Sequence, residues 1–333
     1  MSIDTMILPL LLIIPFIGTV ATLFMGGERQ KYAKVVAGVF SAITLVLTIY
    51  LMYVGLGNWG DYSVSYTWIE TSSITINFAL AVDGLSILMI FLSALLTPLV
   101  ILFSAGESDR ANYFHALLMA MEVGLMGVFM AADYFLFYVM WEITLIPMYF
   151  LISWYGGPRR HYAAIKFFIY THVASLVMLI GIFAMGWMSY DLTGVADFGF
   201  DYMELVMSGT SQAFQAAVFA LLFFGFMVKM PSVPFHTWLP DAHVEAPTAG
   251  SVILAGVMLK MGSYGIIRIC LTCFPEGAEY WQWVIIAIGL VSMVYGAYAC
   301  IAQTDLKKMV AFSSISHMGM VMLGIGCLSD IGI

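Results

Sequence analysis

The chain has 333 residues, 62% of them hydrophobic and only 10% charged, with a formal net charge of -8 and a mean hydropathy of +0.97. That balance excludes a soluble globular enzyme and, with no basic patch anywhere, a nucleic-acid binder. It defines a polytopic, all-α membrane protein without a soluble domain.

A bilayer core about 30 Å thick needs about 20 apolar residues from each spanning helix. Ten such segments can be laid along the chain, at about 3–25, 33–54, 84–104, 112–131, 134–155, 164–189, 213–241, 248–271, 280–302 and 309–328. The first has neither a basic leader region nor an Ala-x-Ala site, so it is expected to stay as a helix and not to be cleaved as a signal. With the spans alternating sides, Arg29, Lys31, Lys34, Arg110, Arg159, Arg160, Lys166, Lys307 and Lys308 share one face, and only Arg268 lies near the other. The positive-inside rule makes the first face cytoplasmic. The opposite loops carry Asp61, Glu70, Asp83, Asp133, Asp191, Asp197, Asp201, Glu204, Glu276 and Glu279, which places the N-terminus outside.

Four ionisable residues fall near the middle of spans: Glu122, Glu142, Lys229 and Lys260. An unpaired charge at the centre of a spanning helix costs about 3 kcal/mol on insertion scales, so the set asks for pairing, water or a transport role. Glu122 occupies the fourth span as a second acid near the depth of Glu142, and spacing alone does not say whether the two face each other. Glu142 follows Trp141 in the fifth span and precedes Pro147. Desolvation drives such a carboxylate towards its neutral form and a nearby cation restores the charged one. At a separation of about 7 Å and an effective dielectric near 20, a lysine would couple to it by roughly 2.4 kcal/mol. Lysine suits proton transfer better than arginine, whose guanidinium stays charged. The plainer alternative is a static salt bridge holding two helices together.

The sixth span contains His172, whose role is open. The seventh is unusual, because an apolar run from Ala213 reaches Lys229 and then meets Met230-Pro231-Ser232-Val233-Pro234 before resuming as Phe235-His236-Thr237-Trp238-Leu239. Each proline removes a backbone donor and crowds the preceding turn, so a broken helix is expected, with its freed carbonyls satisfied by neighbours or water. Membrane transporters place such breaks at the midplane, where half-helix ends bias nearby charges. An ordinary kink with a snorkelling lysine is the alternative. His236 and His243 flank Trp238-Leu239-Pro240-Asp241-Ala242, where holding an irregular backbone is at least as good an explanation as chemistry.

Lys260 lies at the centre of the eighth span among Gly250, Ser251, Ala255, Gly256, Gly262 and Ser263, small residues that permit close helix approach. His317, within Ser313-Ser314-Ile315-Ser316-His317-Met318-Gly319, stands mid-span in the tenth and has the chemistry to relay protons near neutral pH. It could equally be a satisfied core histidine. Cys270 and Cys273 have a ligand-like spacing, but no second ligand pair accompanies them, so no metal site is expected. Nucleotide-binding and redox-centre motifs are also missing from the sequence.

Trp141-Glu142 with Pro147, Lys166-Phe167-Phe168-Ile169-Tyr170-Thr171, Lys229-Met230-Pro231 with Pro234-Phe235-His236-Thr237-Trp238-Leu239-Pro240-Asp241-Ala242-His243, Ala246-Pro247-Thr248, and Ser313 to Gly319 together resemble the antiporter-like membrane subunits of respiratory complex I. The chain M, or subunit 4, branch is the nearest in pattern, and the resemblance is densest from about 130 to 320. It implies inverted five-helix repeats with a broken seventh helix, arranged as N-terminal helices in 1–111, a first repeat in 112–272, and the start of an incomplete second repeat in 273–333. It also implies a proton-translocating role in Glu142, Lys229, Lys260, Glu122 and His317. No cofactor is expected in this chain. NAD, FMN, iron–sulfur clusters and quinone would sit in partner subunits, with other membrane-arm subunits, lipid and protons as its partners and the cell inner membrane as its location. The driving reaction would be oxidation of NADH by quinone or, in a methanogen-type relative, of a reduced deazaflavin.

Two departures accompany the resemblance. His172 stands where a neutral residue is expected, and the chain stops soon after its tenth span, at Ile333, before a second broken helix. A subunit of a multisubunit sodium/proton antiporter and a structural membrane-arm spacer remain the rival readings.

Overall fold

The computed structural model describes residues 3–55, 62–104, 110–329 and 332; Asp61 and Ile333 lie outside the described residues. Among these, ten helices are long and apolar enough to cross a membrane. The chain runs α1 (Ile3–Leu23), α2 (Gln30–Gly55), strands β1 (Ser63–Glu70) and β2 (Ile74–Ala81), then α3 (Gly84–Phe103), α4 (Ala111–Met130), α5 (Tyr134–Tyr155) and α6 (Arg160–Thr193). Strand β3 (Ala196–Asp197) and the short α7 (Phe200–Ser208) lead into α8 (Gln212–Lys229) and α9 (Trp238–Glu245). The eighth crossing is built from α10 (Thr248–Ile253), a π-helical turn at Leu254–Met258, α11 (Leu259–Gly265) and a second π-helical turn at Ile266–Leu271. Helices α12 (Pro275–Ile301) and α13 (Leu306–Gly326) complete the order.

Acidic residues at the polar ends of the spans start several helices. Asp83 accepts from the backbone N–H of Leu85 and Ser86 while Ser86 Oγ accepts from the Asp83 N–H, a reciprocal capping box at α3. Asp133, fully buried, caps α5 through Phe135 and Leu136 N–H and reaches back to the Asn77 N–H of β2 at 3.0 Å. These carboxylates therefore satisfy orphan helix donors as well as charging the loops.

The β1–β2 hairpin turns at Thr71, whose Oγ1 accepts from Ile74 N–H, and β3 pairs parallel to β2 through Ile74 with Ala196 and Thr75 with Asp197. This small sheet is an addition to the helical frame expected from the sequence. Large apolar side chains such as Trp187, Trp283 and Ile301 stand more than three-quarters exposed, as lipid-facing positions do.

The described chain divides into two compact units: Met1–Trp68 with Asn77–Arg160 and Ala246–Val257, and Ile69–Ile76 with His161–Glu245 and Met258–Ile333. In the first, α1, α2, α3 and α4 pack on one another and α4 packs on α5. In the second, α12 and α13 lie in close contact, since a Cβ at Gly296 would come within 2.6 Å of the Ser316 backbone nitrogen.

Candidate functional site

In the second unit, α8 ends at Lys229 and helical structure resumes only at Trp238, as the two prolines require. Pro231 has no N–H for the Met227 carbonyl, and the Ser232 N–H takes its place at 3.1 Å. That shift diverts the donor that would normally serve Val228, and the Trp238 indole N–H supplies the bond to the Val228 carbonyl at 3.0 Å. The Val233 N–H, released from the helix, donates to Ser292 Oγ of α12 at 2.9 Å. The broken segment is thus held by side chains from both its own return and a neighbouring helix.

Lys229 lies at the helix end, 1% exposed, with its ammonium 6.0 Å from the centre of the Phe167 ring. Phe167 in turn packs on Trp238, ring centres 5.5 Å apart. The lysine stem is enclosed and does not snorkel to a surface. Here the macrodipole of α8 presents its negative end, a favourable place for a cation.

Lys260, half-buried, is the second residue of α11, which follows the first π-helical turn. Two residues on, Gly262 allows α11 to cross the end of α8: a Cβ there would fall 2.6 Å from the Phe226 carbonyl oxygen and 2.8 Å from Met230 Cβ. This contact brings the backbone just past Lys260 against the break just past Lys229. Single π-helical turns inside helices are a common feature of functional sites.

The remaining sequence-predicted residues are distributed as follows. His317 lies on α13 and is exposed, whereas the adjacent Ser316 turns inward and donates to the Met293 carbonyl at 2.9 Å. His172, on α6, stacks on Phe168 with ring centres 5.1 Å apart. His236 is buried against Tyr295, 4.9 Å between ring centres, and its Nδ1 has no hydrogen-bond partner among the described residues. Cys270 and Cys273 are buried and not disulfide-linked.

Glu122 and Glu142 belong to the first unit. Helices α4 and α5 meet where Gly124 abuts Thr144 and Gly127 abuts Met140. Glu122 is two residues from Gly124, and Glu142 is two residues from both Met140 and Thr144. At about 100° per residue each acid points about 160° away from the shared contact. The structure does not turn the two acids towards each other. Glu122 is fully buried and neither carboxyl oxygen has a hydrogen-bond partner among the described residues; Glu142 is half-buried.

Three features escaped sequence reasoning. Lys166 Nζ and Asp241 Oδ2 form an ion pair at 2.7 Å, joining α6 to α9, and Lys307 Nζ donates to the Val244 carbonyl at the end of α9. Ser292 and Trp238 act as backbone captors. The π-helical turns flanking α11 have no marker beyond the small residues around them.

The fold and these positions define a multi-pass membrane protein whose interior lysine terminates a proline-broken helix. Residues 131–333 match the family described as NADH:quinone oxidoreductase/Mrp antiporter, TM, and residues 68–107 match the N-terminus of complex I chain 5. The chain belongs to the NADH:quinone oxidoreductase/Mrp antiporter transmembrane family. It is 40% identical over 324 residues to F(420)H(2) dehydrogenase subunit M of Methanosarcina mazei, covering 95% of this chain and 64% of that protein. To NADH-quinone oxidoreductase subunit M of Escherichia coli strain K12 it is 41% identical over 341 residues, covering 96% and 65%. In structure it is similar to a chain of respiratory complex I from Thermus thermophilus with bound NADH, at TM-score 0.84 and 26% identity, covering 96% of this chain and 64% of that one. The chain spans just under two thirds of the length of these relatives.

Proposed function

We propose that the chain is a proton-translocating membrane-arm subunit of a complex I-like oxidoreductase, with electron transfer taking place in partner subunits. The observation that carries this reading is Lys229, enclosed at the end of a helix that two prolines interrupt, in a chain of this family. Glu142 and Lys229 are assigned as the coupled titrating pair, Lys260 as the next site along the axis, His317 as the relay towards the second repeat, and Glu122 as a second acid. In this reading a change in the Glu142–Lys229 separation moves a proton. Driving one elementary charge across 100 mV requires about 2.3 kcal/mol, the same order as the coupling of a lysine and a carboxylate about 7 Å apart.

The proposal extends to organisation and setting. Residues 112–272 would form the first antiporter-like repeat and 273–333 the start of the second, preceded by the helices of 1–111. The N-terminus would lie outside an inner membrane. Neighbouring antiporter-like subunits would be the immediate partners, and the flavin, iron–sulfur clusters and quinone of the complex would lie elsewhere. The relatives' names supply two candidate donors, NADH and F420H2.

The test is proton pumping and electron-transfer rate in membranes carrying Lys229→Ala and Glu142→Gln, with assembly checked first on native gels. Pumping is expected to fall at least about tenfold in each with assembly intact, since each variant removes a proton-carrying group. Undiminished pumping in both would overturn the assignment, and sodium-dependent transport in its place would move the chain to the antiporter class.

A further inference from the structure

The four-helix packing of α1 to α4 encloses a line of polar side chains that the Glu142–Lys229–Lys260 axis does not use. Along α4, Asn112, His115, Met119 and Glu122 recur at intervals of three, four and three residues, which is one stripe of a helix. Asn112, His115 and Glu122 are 3%, 2% and 0% exposed. The stripe faces α1: Asn112 Nδ2 donates to the Leu23 carbonyl at 3.2 Å, and a Cβ at Gly18 would sit 2.8 Å from the Met119 methyl. His115 is also tied to α3, with Nε2 3.3 Å from Ser104 Oγ, while its Nδ1 lies 2.7 Å from the Ala111 carbonyl.

Close approaches fix the depths of the surrounding hydroxyls. Gly18 meets both Phe40 and Met119, and Gly38 lies against Ile101. Counting along antiparallel helices from these points puts Thr22 and Ser104 level with His115, and Ser41, Thr44 and Thr97 within about one turn of Glu122. Thr22, Ser41 and Thr44 are 0% exposed and Thr97 is 1% exposed. Each hydroxyl donates to its own helix backbone, as with Thr22 to Gly18 and Thr97 to Ser93, which leaves its oxygen lone pairs available as acceptors. Asn112 Oδ1 and both Glu122 oxygens have no hydrogen-bond partner among the described residues, and buried orphans of this kind call for a functional account.

We propose that this seam is a proton-uptake path from the face carrying Lys34 and Arg110, through His115, to Glu122. It rests on the proton-translocating reading above. His115 takes a proton from the aqueous side, and its imidazolium N–H gives that proton up to a Glu122 carboxylate oxygen. The histidine returns to neutral imidazole, the glutamate becomes the neutral acid, and no electron moves. The two residues are two helical turns apart, about 10 Å along the axis. Ser41, Thr44 and Thr97 are buried near the depth of Glu122, and a relaying water there would need two to four polar partners of this kind. Among the described charged and titratable groups around His115, Lys34 on α2 lies within electrostatic range and Tyr155 of α5 donates to the Arg110 carbonyl; Ser104 at the end of α3 is within hydrogen-bond distance of it and Thr22 of α1 lies at its depth.

The experiment compares His115→Leu, His115→Gln, Glu122→Gln and the His115→Gln/Glu122→Gln double variant with Lys229→Ala. Membranes carrying the assembled complex are energised with whichever of NADH or F420H2 the unmodified complex oxidises. Both His115 variants are expected to slow pumping at least about tenfold above pH 7, less at lower pH, with partial rescue by added imidazole. The double variant should be no slower than the slower single one, because the two groups act in series. Glutamine keeps a hydrogen-bonding side chain but cannot carry the proton, so its loss of rate with intact assembly separates relay from packing. Normal pumping and an unaltered pH profile in His115→Gln, with pumping lost in Lys229→Ala, would overturn the uptake path alone. Normal pumping in Lys229→Ala would remove the broader reading and this path with it. Failure of both His115 variants to assemble would mark His115 as a structural tie and overturn the path.

Discussion

The two units tolerate interior charge by different means. In the second, α8 stops, and Lys229 occupies a helix end whose displaced carbonyls are recaptured by Ser232 and by the Trp238 indole. In the first, α4 continues unbroken past Glu122, whose carboxyl oxygens have no hydrogen-bond partner among the described residues, and the buried hydroxyls near its depth, Thr44 of α2 and Thr97 of α3, stay bonded to their own backbones. A broken helix creates directional backbone groups but needs many specific captors. An unbroken helix keeps its ladder intact and offers its acid no freed backbone group. The first arrangement fixes the position of Lys229 through a captured backbone frame, and the second places Glu122 through helix packing.

If the break is the more demanding arrangement, it should also be the more easily damaged. Gly262→Ala would drive a methyl into the Phe226 carbonyl and Met230 Cβ, backbone and near-backbone atoms with no room to yield. A cost of about 1–3 kcal/mol is expected, read as loss of assembled complex on native gels and a lower melting temperature of what remains. In the first unit, Gly127→Ala meets chiefly Met140, its sulfur at 2.5 Å and Cγ at 2.6 Å, an unbranched side chain that can shift, and should cost less. Equal damage at both positions would erase the contrast between the units. Trp238→Phe keeps much of the ring packing on Phe167 but deprives the Val228 carbonyl of its donor. About 1 kcal/mol is expected, because hydrogen bonds in membrane proteins average below the value of a buried orphan in water-soluble ones. Thermal unfolding of the complex in detergent would measure it.

Much of the second unit could be read from the sequence. Pro231 and Pro234 announce the break by removing donors, and the apolar run up to Lys229 makes that lysine interior. The captors could not be read, because Trp238 and Ser292 act only once the chain has folded back and α12 has come alongside. In the first unit the spans were legible from hydropathy, but the direction of Glu122 was not. That depends on Gly124 and Gly127 choosing the face that meets α5, and glycines occur on several faces of these helices. His317 was legible as mid-span and illegible as exposed, since exposure follows from the inward turn of Ser316. The β1–β2 hairpin does carry a period-two pattern, as in Ile74-Thr75-Ile76-Asn77, but a search for membrane-length apolar runs passes over eight-residue strands.

The smallest expected effect concerns the ion pair that holds α9. Lys166 and Asp241 are 19% and 22% exposed, so their 2.7 Å contact is partly screened and replaces water on one side only. A contribution of about 1 kcal/mol follows from comparable pairs, and it should shrink with added salt because the Debye length falls from about 10 Å at 0.1 M to about 3 Å at 1 M. Yet α9 is also held by Lys307 on the Val244 carbonyl and by the Thr237 hydroxyl on Tyr170, so the helix should not detach when one tie is lost. Lys166→Met is therefore expected to lower the melting temperature slightly at low salt and not at high salt, with pumping retained. A large, salt-independent loss of pumping in Lys166→Met would place this ion pair inside the transport machinery, and the break could then no longer be treated as an anchored frame around Lys229.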